Sequence, residues 1–172
     1  MKRLLLRSAI LFAAFILPFC LCGAAEAQIA AYGGFSGAAV SGGSTPSAWG
    51  GLVGVYAQKR HFIVVSAGGD LRASFLKRNG FHYNTGAIGP RLAFRIPIVP
   101  LRPYVEGLVG VAHYNVGAGS SNGTRLNYHA VAGLDWTVMP RVDWRVFDYD
   151  FSGTTGSVSA NIFSMGISIR VW

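Results

Sequence analysis

Between Arg60 and Trp172 the chain repeats one unit: about ten residues in which apolar and other side chains alternate, then a few turn residues. In three of these units the non-apolar positions are ionised: Asp70-Leu71-Arg72, Arg91-Leu92-Ala93-Phe94-Arg95 and Asp143-Trp144-Arg145. Side chains alternate across a strand, so the charges of each unit share one face and large apolar groups cover the other. A water-soluble barrel would turn the apolar face inward. Here the apolar band is too large, and the charged face too small and glycine-rich, for that arrangement. The pattern predicts the inverse: lipid against the apolar faces and a narrow polar interior.

The first 27 residues are expected to be removed. Lys2, Arg3 and Arg7 form a basic start, Leu11 to Leu21 an apolar stretch, and Ala25-Glu26-Ala27 a small-x-small cleavage site before Gln28. This is the pattern of a secretory signal peptide, and it leaves residues 28–172 as one domain. Both cysteines, Cys20 and Cys22, fall in the removed segment. A disulfide scaffold, a thiolate metal site and a cysteine nucleophile are therefore not expected in the mature chain. The composition is 51% hydrophobic, yet no apolar run after residue 27 approaches the eighteen or so residues of a spanning helix. High hydrophobicity without such a run points to spanning strands.

Eight strands are expected, near 29–40, 49–58, 61–75, 82–96, 103–114, 127–138, 141–150 and 160–172. The pairs Gly33-Gly34 and Gly50-Gly51 obscure the facing of the first two. In the fourth, Ile88, Pro90, Leu92, Phe94 and Ile96 face outward, and Pro90, which lacks a donor, marks a bulge. The last strand is the clearest, with Phe163, Met165, Ile167, Ile169 and Val171 outward and Ser164, Gly166, Ser168 and Arg170 inward. Short connections (58–60, 98–102, 139–141) alternate with glycine- and serine-rich stretches (41–48, 76–81, 115–126, 151–159). Short periplasmic turns and longer extracellular loops describe an antiparallel up-and-down transmembrane β-barrel. An unpaired backbone group costs several kcal/mol in lipid, so the last strand should pair with the first.

The net charge of +8 suggests nucleic acid at first sight. The charges form no basic stripe with interleaved aromatics, however, and nucleic-acid binding is set aside. Arg72, Arg91, Arg95, Arg145 and Arg170 fall on the inward parity, as do Asp70, Glu106, Asp135 and Asp143. These nine residues are expected to pair in the interior and to plug it against solutes. The outward positions of strands three to eight avoid charge except at Asp148 and Asp150, near a strand end.

The local features Gly89-Pro90-Arg91, Pro103-Tyr104-Val105-Glu106-Gly107, Gly133-Leu134-Asp135, Asp148-Tyr149 and the terminal Gly166-Ile167-Ser168-Ile169-Arg170-Val171-Trp172 complete a resemblance over the whole mature chain. It is similar to the small eight-stranded outer-membrane β-barrel proteins, the superfamily of the OmpA-like transmembrane domain. The resemblance implies outer-membrane location, contact with outer-membrane lipids and lipopolysaccharide, and insertion by the barrel assembly machinery, which reads a terminal aromatic. Here Val171 occupies the usual aromatic place and Trp172 lies one beyond. Lys77, Arg78 and Arg125 are loop cations able to meet lipopolysaccharide phosphates.

Some barrels of this size modify lipid A, and a Ser/His/acid site for that would want histidine and serine close together near the lipid-facing rim. His129 has no serine two positions away and faces inward, while His61, His82 and His113 lie at strand ends. No two histidines fall at ligand spacing with a carboxylate on the same face. No catalytic, metal or cofactor site is expected, and the role read from the sequence is structural or interaction-based. A lipid-modifying enzyme and a small diffusion channel are the alternatives.

Overall fold

The computed structural model describes residues 27–41, 47–60, 64–78, 80–115, 123–155 and 158–171. The signal segment before Ala27, both cysteines, His61 and Trp172 lie outside the described residues, as do the centres of the loops expected at 41–48, 115–126 and 151–159. Eight strands follow in order: β1 (Gln28–Ser41), β2 (Ser47–Arg60), β3 (Val65–Arg78), β4 (Phe81–Phe94), β5 (Leu101–Asn115), β6 (Gly123–Met139), β7 (Val142–Thr154) and β8 (Ser159–Arg170). Each pairs with the next, and β8 returns to β1 from Ala30↔Arg170 to Ser41↔Ser159, closing an all-antiparallel barrel. Closure leaves no edge whose N–H and C=O groups would face hydrocarbon. At 12 to 17 residues the strands are longer than hydrocarbon alone requires. One end carries both termini; the other carries the β1–β2, β3–β4, β5–β6 and β7–β8 connections and is called the loop end.

The inverted arrangement holds. Leu71, Phe75, Ile88, Leu92, Val105, Val109, Trp136, Trp144, Phe163, Met165, Ile167 and Ile169 are exposed on the outer wall. Asp70, Arg72, Arg91, Glu106, Asp135 and Arg145 are buried inside. In β1 and β2 the even-numbered residues point inward, among them Tyr32, Ser36, Leu52, Tyr56 and Gln58. Above the charged middle, towards the loop end, Leu76, Phe81, Tyr83, Ala112, Tyr114, Ala160 and Ile162 pack into an apolar cluster inside the barrel. The lumen is thus filled by a charged layer beneath an apolar cap, consistent with an eight-stranded barrel being just wide enough to be packed by side chains.

Two local expectations are corrected, and one feature is added. Pro90 makes no bulge: Ile88↔Val109 and Arg91↔Glu106 continue one register on either side of it. The 76–81 loop shrinks to a two-residue turn between Arg78 and Phe81, with Gly80 at φ +84°, a left-handed conformation that glycine adopts without steric cost. A bulge that was not expected lies in β7. Against β6 the register shifts between Leu134↔Phe147 and Asp135↔Arg145, and against β8 between Arg145↔Gly166 and Asp148↔Ser164. Val146 is the residue left over against β6, while against β8 Val146 and Phe147 together stand against Met165, and beyond them the inward parity changes from odd to even.

Glycines divide by face. A Cβ added at inward Gly34, Gly68, Gly89 or Gly110 would collide with the backbone of the neighbouring strand, whereas at outward Gly37, Gly86 or Gly107 it would meet nothing. A tightly curved wall crowds its concave side, and glycine relieves the crowding. Gly89→Ala is therefore expected to lower stability by roughly 1–3 kcal/mol. Gly107→Ala should be neutral or stabilise by up to about 1 kcal/mol. Urea unfolding of the two variants in lipid vesicles compares them directly; equal destabilisation would contradict the division.

Candidate functional site

The middle of the lumen is a closed ring of alternating charges. Arg72 Nη2 donates to Glu106 Oε2 at 2.6 Å and to Asp148 Oδ2 at 3.2 Å. Glu106 also accepts from Arg91, which reaches Asp135 at 3.0 Å. Asp135 accepts from Arg145 Nε at 3.1 Å, and Arg145 returns to Asp148 at 3.5 Å. Three guanidiniums and three carboxylates thereby complete a circuit drawn from β3, β4, β5, β6 and β7. Asp150 attaches to Arg72 at 3.4 Å and Asp70 to Arg91 at 3.7 Å.

Tyrosines fill the gaps. Arg91 lies over the rings of Tyr104 (3.8 Å) and Tyr56 (4.2 Å), and Arg145 over Tyr32 (3.8 Å) and Tyr104 (4.9 Å). Tyr32 donates its hydroxyl to Asp70 at 2.7 Å, and Tyr104 donates to Asp148. Both rings lie where they do because glycine stands opposite: Tyr32 pairs with Gly54 and Tyr104 with Gly133, and a Cβ at either glycine would strike the ring. Taking an isolated ion out of water costs several kcal/mol, which only close pairing and satisfied hydrogen bonds offset. The ring supplies the pairing, with cation–π contacts over the guanidinium faces; Arg72 Nε, Arg91 Nε and both terminal nitrogens of Arg145 have no hydrogen-bond partner among the described residues.

A second cluster closes the terminus end. Asp143, fully buried, is approached by Arg170 at 3.0 Å and Arg102 at 3.4 Å, and accepts from Thr137 Oγ1 at 2.7 Å. Arg102 also donates to the Gln28 side chain at 3.0 Å.

Of the nine residues expected inside, Asp70, Arg72, Arg91, Glu106, Asp135 and Arg145 meet in the central assembly, and Asp143 and Arg170 in the lower cluster. Arg95 does neither. It is exposed beyond Phe94, the last residue of β4, and its N–H donates to the Val64 carbonyl at 2.7 Å. The chain has left the ladder there, so strand parity no longer applies. Asp148 and Asp150 are corrected in the opposite sense: expected outside, they are buried, because the Val146 bulge reverses the parity. Arg102 was passed over as a turn residue although it shares the even parity of Tyr104 and Glu106, a readable signal. The β7 bulge also leaves a local signal: the charges move from odd positions (Asp143, Arg145) to even ones (Asp148, Asp150) within one strand.

His129 is better connected than its neighbours in sequence suggest. Its Nδ1 lies 2.8 Å from Asp150 and its Nε2 2.6 Å from the Asn127 amide, while Ser152 stands opposite on β7. The Ser152 hydroxyl bonds the Tyr83 hydroxyl at 2.8 Å, beneath the apolar cap. Serine, histidine and aspartate come together here, but Nε2 engages Asn127 and the group is buried from both solvent and lipid. Its chemistry is that of a hydrogen-bond chain joining the charged ring to the cap. Among the described residues no cluster of three or more histidine, cysteine or acidic side chains is arranged to hold a metal.

Every acidic residue of 28–172 (Asp70, Glu106, Asp135, Asp143, Asp148 and Asp150) is buried in the lumen. Lys77, Arg78, Arg95, Arg125 and Arg141 are exposed, Lys77 on the outer wall and Arg78 and Arg125 at the loop-end mouth on the parity of their inward partners Phe81 and Ala112. The barrel therefore buries its acids and leaves only cations among its exposed charges.

No sequence-family model matches the chain, and no curated protein matches it in sequence. Solved structures do match in shape. Neisserial surface protein A (NspA) superposes with a TM-score of 0.55 at 19% identity, covering 86% of this chain and 99% of that one. Ail, the attachment invasion locus protein of Yersinia pestis, solved with the heparin analogue sucrose octasulfate, gives 0.52 at 16% identity, covering 84% and 99%. The N-terminal β-barrel domain of Pseudomonas aeruginosa OprF gives 0.52 at 16% identity, covering 83% and 96%. The fold is that of the small eight-stranded outer-membrane β-barrels.

Two outcomes follow from the ring. Arg72→Met leaves Glu106, Asp148 and Asp150 short of a buried cation and is expected to cost roughly 3–5 kcal/mol in urea unfolding. Deleting Val146 turns Asp148 and Asp150 towards lipid, so the folded band on an unheated detergent gel should vanish, while Val146→Ala keeps it. A deletion variant that still folded would show that the ring does not depend on the bulge.

Proposed function

We propose that this chain is a non-enzymatic, non-conducting outer-membrane barrel with a structural or interaction role. It is exported by a cleaved signal peptide and inserted by the barrel assembly machinery, with its loop end outside the cell. One observation carries the reading: the closed ring of Arg72, Glu106, Arg91, Asp135, Arg145 and Asp148 beneath an apolar cap. A diffusion pathway needs a connected wet lumen, and here the middle is occupied by side chains buried from solvent. An enzyme acting on lipids needs its nucleophile at the lipid face, and Ser152 and His129 point the other way.

The exterior is suited to outer-membrane lipid. An apolar belt with the tilted aromatic pairs Trp136–Trp144 and Phe35–Trp49 faces the acyl region. The exposed loop-end cations Lys77, Arg78 and Arg125 suit lipopolysaccharide phosphates. Asp70, Asp150, Asp143, Arg102 and Arg170 serve the barrel's own integrity in this reading.

The refolded full chain in planar bilayers should give no resolvable single-channel steps, and unheated protein should migrate apart from boiled protein on a detergent gel. Steady conductance from protein that passes the gel test would replace this reading with a diffusion channel.

A further inference from the structure

We propose that the outer wall at the loop ends of β3 to β6 is a docking surface for the phosphate of a membrane-lipid headgroup. The inference rests on the membrane reading above and identifies the wall residues that receive the lipid. The outward positions there are Lys77, His82, Asn84, His113 and Thr124, and the ladder makes them contiguous. Lys77 pairs with His82 across β3–β4, Asn84 with His113 across β4–β5, and His113 with Thr124 across β5–β6. Directly opposed side chains in an antiparallel pair have their Cβ atoms about 5 Å apart, close enough for one phosphate to touch two or three of them.

The donors suit that ligand. An ammonium, an amide NH₂ and a hydroxyl can each donate to a phosphate oxygen, and an imidazole carries at least one N–H in either protonation state. His113 Nδ1 lies 3.1 Å from Thr124 Oγ1, which holds the ring across the β5–β6 pair. The surface also lies at the right depth. One rung further from the loop end, the outward residues are Gly86, Val111 and Leu126, joined by the same ladders, and Val111 and Leu126 are exposed. Polar donors give way to the apolar belt within a single rung, as the boundary between headgroup and acyl chain requires.

Charge complementarity settles the occupant. Every acidic side chain of residues 28–172 is locked in the lumen, so the protein offers no carboxylate to Lys77 on the wall. The anion must come from outside. On a lipid-facing wall it is a lipid phosphate, whose chains lie along Phe75, Val111 and Leu126.

The test uses the refolded full chain in nanodiscs of phosphatidylcholine with and without phosphatidic acid of the same acyl chains. Native mass spectrometry should find phosphatidic acid enriched on the wild type, and Lys77→Gln/His82→Gln/His113→Gln should lose about tenfold or more of that enrichment. Arg95→Gln/Arg141→Gln, at the terminus end, should keep it. Should the triple variant fail the gel test for folding, diethyl pyrocarbonate labelling of the wild type decides instead: phosphatidic acid should slow modification of His82 and His113. Equal retention by folded triple variant and wild type, no enrichment on the wild type, or protection by inorganic phosphate but not by the lipid would overturn the proposal. Wild-type protein that gave no folded band would instead overturn the membrane reading beneath it.

Discussion

Hydrocarbon tolerates neither an unpaired backbone group nor an unpaired charge, and each feature of this barrel answers one of those two exclusions. The first forces the β1–β8 ladder to close the sheet. The second drives all six acids of residues 28–172 to the one place in a spanning barrel where lipid is absent. Once there they share a space too narrow for bulk water, and an uncompensated carboxylate would be costly. The arginines of β3, β4 and β7 join them in an alternating circuit, with tyrosine rings covering the guanidinium faces. The ring exists because the wall is closed, and the filled lumen in turn supports the wall.

The bulge at Val146 shows how tightly the two requirements are coupled. Without it, β7 would send Asp143 and Arg145 inward and Asp148 and Asp150 into lipid. One extra residue reverses the parity, and Phe147 takes the outward position while Asp148 completes the ring and Asp150 meets Arg72 and His129. The glycines act by a different means. Opposite Tyr32 and Tyr104 they leave room for a ring to lie against the wall, and elsewhere on the concave side they let neighbouring backbones approach. Both devices adjust a regular ladder so that particular side chains reach the centre.

Function follows from the separation of charge. A lumen filled by paired ions under an apolar cap is suited to holding a barrel shut. An outer wall without acids, with Lys77 at its loop end, suits anionic lipid. The Ser152–His129–Asp150 group illustrates why composition alone misleads: the residue types of a hydrolytic site are present, yet their bonds and burial assign them to the interior scaffold.

Most of the architecture was legible in the residues because period-two alternation with charge on one face has few solutions. Strand number, antiparallel order, and the inward facing of Asp70, Arg72, Arg91, Glu106, Asp135 and Arg145 all follow from it. Arg95 escaped because alternation continues on paper past the point where the ladder ends. Asp148 and Asp150 escaped because one parity was carried through β7, although the shift of charge from odd to even positions after Arg145 marks the bulge. The circuit itself, the tyrosines over the arginines and the apolar cap join residues far apart in the chain. Only closure of the barrel, which sets how far each strand is staggered against the next, decided which of them would meet.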